Sequence, residues 1–198
     1  MILTPIPSED LEAVLDRFAA QLDVPAARDA FARIRATAAE RAEGIAAETH
    51  RLAALALARA CGMRVHPAGT AAAFNWDGAA LDGATEAYVI LHEAAHFVLA
   101  PPERRRLIDF GLGPGPDTAA RAAAERAAIL AVPERDGDEA AASLLGILWE
   151  AGLGQPALAS FLDQNWLEGL DRSAAPHFTV VLHRLLRLGV VGLDRASQ

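Results

Sequence analysis

Two histidines and a glutamate in the run HEAAH, residues 92–96, are the groups in this chain whose types and spacing suit chemistry most directly. On a helix, residues four apart lie one turn above another on the same face, so His92 and His96 can offer two imidazole nitrogens to one metal ion. Glu93 then projects beside them. In a hydrolase such a glutamate takes a proton from a water activated by the metal, and the metal polarises the carbonyl under attack. The neighbours Val89, Ile90, Leu91, Phe97, Val98 and Leu99 are apolar. Burying three ionisable groups among them without partners costs on the order of several kcal/mol, which a bound metal or a pair of mutually satisfied core histidines would offset.

Two histidines need a third ligand. The extended HExxHxxGxxH pattern requires glycine at 99 and histidine at 102, where this chain has Leu99 and Pro102. The candidates are therefore distal carboxylates: Asp109, 13 residues past His96, Glu125, 29 past it, and Glu139, 43 past it. His177 and His183 lie in the last helical region and read as surface or core residues. Glu48 and His50, at i and i+2, face different sides of a helix and read as exposed polar residues. The loop GLGPGPDT lacks both phosphate-cradling glycine spacings.

The elements that must position these groups are mostly helical. Ser8 or Asp10 can cap a first helix carrying Leu11, Val14, Leu15, Phe18 and Leu22. Pro25 suits the first turn of a second, long helical region that relaxes near Gly44 and ends at Gly62. Between Arg64 and Gly83, MRVHP and AAFNW read as short strands or extended segments. The HExxH helix starts at about Thr85 and is stopped by Pro101 and Pro102. ERRRLIDF follows as a short helix or turn. Further helices are expected over 118–131, 138–151, 156–167 and 175–188. The expected fold is thus a mostly α, single-domain helical metalloprotein over 1–198, with a helical amino-terminal part (1–62), a metal-binding core (64–198) and a minor extended or β segment.

Apolar residues at 53% and charged residues at 22% exclude a disordered chain, and a net charge of −8 disfavours nucleic acid and anionic membranes as partners. The single cysteine, Cys61, excludes an internal disulfide framework and reads as a buried thiol at a helix end. With neither a secretory leader nor an apolar span of membrane length in the sequence, the expected location is the cytoplasm.

The stretch VILHEAAHFVLAPPERRRLIDFGLGPGPD, residues 89–117, resembles the elongation factor P hydroxylase family, in which an HExxH helix is followed by an Arg-rich segment and a Leu-Val-Asp-Phe-Gly element. His92, Glu93, His96, Arg105, Asp109, Phe110, Gly111 and Asp117 carry the likeness. It partly returns at GLGQP, at Ser160 and over residues 163–169. Counting back from Gly154 and Pro156 places Glu139 at the family's acidic ligand position, ahead of Glu125. The resemblance implies a non-haem iron centre and oxygen-dependent hydroxylation of a previously modified lysine on a protein, an elongation factor P-like partner. It gives Glu93 a supporting place at the metal, Arg104, Arg105 and Arg106 a role toward an acidic partner, and Asp109 the task of orienting a histidine or holding the arginine segment.

The leading expectation is a non-haem iron hydroxylase-like oxidoreductase acting on a protein side chain. The alternatives are a zinc metallopeptidase with Glu93 as general base, since two histidines and a carboxylate suit zinc as well as iron, and a non-catalytic metal-binding or interaction protein.

Overall fold

The fold is taken from a computed structural model, which describes residues 6–115, 118, 120–167 and 174–191. Among them the chain forms eight α-helices: α1 (Ser8–Ala20), α2 (Pro25–Arg35), α3 (Gly44–Ala60), α4 (Ala87–Leu99), α5 (Arg121–Ala127), α6 (Val132–Gly152), α7 (Ala157–Asp163) and α8 (Ala174–Leu188). Two short 3-10 turns, Arg104–Arg106 and Ile108–Gly111, lie between α4 and α5.

The helix α4 is apolar around most of its circumference, the signature of a helix enclosed by others. It packs against α3 on one side and α6 on another, burying Ile90, Leu91, Ala94 and Ala95. Its end is dictated by sequence. Ala100 precedes Pro101, and the proline ring excludes a helical backbone there, so Ala100 is extended at ψ 139°. The partner helix α6 is as central, burying its length from Ala141 to Glu150 except Ser143. It comes close to α4 at Gly146, where an added Cβ would stand 3.3 Å from both the Cα and the N of His92. A mid-helix glycine, which costs about 1 kcal/mol relative to alanine, is explained by that approach. Around this pair, Phe18, Phe31, Phe161 and Phe178 from α1, α2, α7 and α8 interlock edge to face, with Phe18 and Phe31 centroids 4.7 Å apart.

The expectation of a minor β segment is overturned: no strand exists among the described residues. Residues 64–83 form a loop with two isolated bridges, Val65 with Leu81 and Trp76 with Leu81. The physical reason is Asp77, whose Oδ1 accepts the backbone N–H groups of Ala79 and Ala80 at 2.8 Å, while its Oδ2 pairs with His66 at 2.9 Å. Donors captured by an aspartate make a turn instead of a ladder.

Other boundaries shift too. Neither Ser8 nor Asp10 caps α1; both are inside it, with Pro7 at the N-cap position. The expected long second helix is two helices, α2 and α3, divided at residues 36–43. The expected turn PERDGD is instead the start of α6, where Pro133 occupies the first turn and Glu134 accepts the N–H of Ala131. Asp117, one carrier of the family resemblance, lies outside the described residues, as do residues 168 and 169. No helix among the described residues is long and apolar enough to cross a membrane.

Candidate metal centre

The helical spacing of HEAAH brings His92 and His96 together as expected, with Nε2 atoms 3.0 Å apart. From α6, Glu139 adds its Oε2 at 3.4 Å from His92 Nε2 and 3.3 Å from His96 Nε2. Donors held about 2.0–2.1 Å from one ion are separated by roughly 3.0 Å at right angles and roughly 3.4 Å at tetrahedral angles, so this triangle fits a single metal ion. Among the described residues these three form the one such group of candidate ligands. The chain therefore carries a His/His/Glu cluster able to coordinate a divalent metal. Two imidazoles and a carboxylate suit iron and zinc alike.

Electrostatics around the triangle follow from burial. Burial alone would raise the Glu139 carboxyl, but the charge of His96 and the hydrogen bonds of His92 and His96 hold it well below the usual carboxylate range. Burial would lower His92, yet its hydrogen bond and attraction to Glu139 outweigh that and raise it. Glu93 is only 8% exposed; burial pushes its carboxyl up, with the two histidines partly opposing. One Glu93 oxygen accepts a long 3.4 Å hydrogen bond from Asn75 Nδ2, on the 64–83 loop.

Asp109 stands beside the cluster without being one of its converging donors. Burial, then the charges of Glu93 and Glu139, push its carboxyl up to about 7. Its backbone is left-handed (φ 44°, ψ 39°), and so is that of Phe110 (φ 54°, ψ 20°). For non-glycine residues this conformation costs about 1–2 kcal/mol each. The turn is secured from three directions. Asp109 N donates to Trp76 O at 3.0 Å, Arg104 Nε donates to Phe110 O at 2.9 Å, and Ile129 N donates to Gly111 O at 2.9 Å. The Phe110 ring lies over His96 at 5.5 Å and stacks on Trp76 at 5.6 Å, so the turn also backs a ligand ring.

The remaining candidates are placed elsewhere. Glu125 is exposed on α5, outside the cluster. Arg105 turns back on α4, donating to the carbonyls of Ala100 at 2.9 Å and Val98 at 3.4 Å with its guanidinium over Phe97, and thereby satisfies the helix end. His177 stacks on Trp166, His183 is exposed, and Glu48 pairs with Arg51. Burial raises the Cys61 thiol, which disfavours a nucleophilic thiolate.

Three contributors were not foreseen from sequence, Asn75, Asp138 and Gly146, and a fourth, Arg104, is buried inside the protein instead of facing a partner. Arg104 bridges the Phe110 carbonyl and Asp138 Oδ2 (2.6 Å), while Arg184 of α8 donates to Asp138 Oδ1 (2.6 Å). Asp138 directly precedes Glu139, so this partly buried network anchors the start of Glu139's helix and the Asp109 turn together. The mid-helix glycine was the one available signal. The rest are contacts between distant segments.

No family model matches this chain, and neither the curated proteins nor the solved structures contain a match to it. The likeness to the elongation factor P hydroxylases thus rests on the quoted residues alone, and what stands on geometry is a helical chain with two histidines and a glutamate placed so that they could hold a metal ion.

Proposed function

We propose that this chain is a metal-dependent enzyme of the non-haem iron hydroxylase type, acting on a protein side chain. The observation that carries this reading is the position of Glu139. The resemblance singled it out over Glu125, and it is the carboxylate that meets His92 and His96. Three protein donors on one side leave coordination positions for exogenous ligands, as oxygenases require. Bound iron would supply the redox chemistry of oxygen activation. The chain's own residues would hold it through His92, His96 and Glu139, with Phe110 fixing the His96 ring and Glu93 as a buried carboxyl beside the ligands. A modified lysine on a translation factor is the substrate that the resemblance favours.

A specific observation supports a second reading, zinc-dependent hydrolysis. A buried carboxyl raised above its ordinary value, as Glu93 is, suits a general base. Anaerobic reconstitution with Fe(II) and, separately, with Zn(II), followed by elemental analysis, oxygen-uptake measurement and a peptide-cleavage assay, separates the two. Stoichiometric iron with oxygen uptake abolished in His96→Ala is expected. Stoichiometric zinc with peptide cleavage that depends on Glu93, and no oxygen uptake by the iron form, overturns the hydroxylase reading.

A further inference from the structure

Asp109 is an expensive residue where it stands. Its Oδ2 is shut off from solvent and has no hydrogen-bond partner among the described residues. Its own backbone and that of Phe110 are left-handed, followed by Gly111 at φ 72°. Glycine would adopt such a backbone with less strain, so local stability does not explain an aspartate here. Strain and orphaned polar atoms persist where the surroundings over-determine them, and they concentrate where a ligand completes the structure.

The surroundings do over-determine this turn. Trp76 O, Arg104 Nε and Ile129 N hold three successive residues from three separate segments. The same loop that holds Asp109 through Trp76 also holds Glu93 through Asn75. The next residue, Phe110, lies against the His96 ring. Asp109 is therefore fixed relative to the metal ligands while staying outside their triangle. A cation bound at the neighbouring cluster favours the ionised form of this carboxyl, and an ionised carboxylate can only accept hydrogen bonds, so what it then lacks is a donor. Arg104 and Arg105 do not supply one, since their guanidiniums are engaged with carbonyl oxygens and Asp138.

We infer that Asp109 is the substrate-side acceptor of this centre: it receives an N–H or O–H from a ligand that also reaches the metal, and so selects amides, amines or alcohols over ligands that lack a donor. This rests on the metal-dependent reading above, though not on the choice between iron and zinc.

The test uses the full chain loaded with Co(II), with acetohydroxamate as a donor-bearing probe and azide as a probe without a donor, both followed by visible absorption. Asp109→Gly is expected to weaken acetohydroxamate binding about tenfold, the weight of one hydrogen bond to a charged group, and to leave azide and Co(II) affinity unchanged. The same variant is expected to raise the Tm of the metal-free protein by about 2–4 °C, because glycine accepts the left-handed backbone. Asp109→Asn, which keeps an acceptor oxygen, should lose less probe affinity than Asp109→Gly. A lower Tm in Asp109→Gly would mark a structural residue, and unchanged acetohydroxamate affinity would mark an idle one. Lost Co(II) affinity would make Asp109 a ligand. Each of these overturns the inference while leaving the metal centre standing, whereas failure of the wild type to bind Co(II) overturns both.

Discussion

Glu150 offers the sharpest quantitative test of how this core is built. It is 2% exposed on α6, one turn beyond Gly146, and its hydrogen-bond partner Ser160 is a neutral hydroxyl. Arg41, whose charge acts to lower the carboxyl, directs its own hydrogen bonds to Ser160 and Asp163. Burial therefore dominates and pushes the carboxyl up to about 7, against an ordinary value of 4.5. At 1.36 kcal/mol for each pH unit, ionising it in the folded protein costs about 3 kcal/mol more than in the unfolded chain. Because its folded pKa lies above its unfolded pKa, the folded state holds the extra proton between pH 4.5 and about 7. Its favourable contribution is complete below that window and lost as pH rises through it. Glu150→Gln removes the ionisation while keeping a polar group for Ser160. Urea denaturation of both proteins in chelator, at pH 5, 6, 7 and 8, should give similar stabilities at the acid end. The variant should become the more stable by about 2–3 kcal/mol at pH 8. A variant less stable than wild type at pH 8, or a difference that does not change with pH, would refute the reasoning.

Three further outcomes follow from the site. Glu139→Gln should reduce metal affinity by at least about a hundredfold, as loss of a charged ligand does, while Glu125→Gln leaves it unchanged in the same calorimetric titration. Arg104→Met should destabilise the fold by about 2 kcal/mol in urea, since it strips one partner from the half-buried Asp138 and frees the Phe110 carbonyl. Gly146→Val places a side chain against the His92 backbone and should cost about 1–3 kcal/mol, with weaker Co(II) binding measured alongside as α4 and α6 are pushed apart.

How much of this was legible beforehand depends on the range of each interaction. The His92 and His96 pair follows from helix periodicity, and the end of α4 follows from the restriction that Pro101 places on Ala100. Both are local, set within a few residues, and a linear sequence displays them. The β segment is overturned because, although MRVHP and AAFNW offer Val65, Phe74 and Trp76, residue types that favour strands, the deciding residue is Asp77 capturing the turn donors. Similarly, PERDGD reads as a turn by composition, yet Pro133 and Glu134 are well suited to begin a helix.

By itself, then, the sequence determined a helical chain, a pair of histidines on one apolar helix spaced to share an ion and a short set of carboxylates that could join them. The resemblance favoured Glu139 among them, but only the tertiary structure brings it to the two histidines, because that meeting depends on where α6 crosses α4, with Gly146 against His92 some 54 residues away in the chain. Asp109 was decided the same way: its left-handed backbone is imposed by Trp76, Arg104 and Ile129 acting together. Spacing along a helix is a property of neighbours, but the meeting of two helices and the straining of a turn are properties of the packed core.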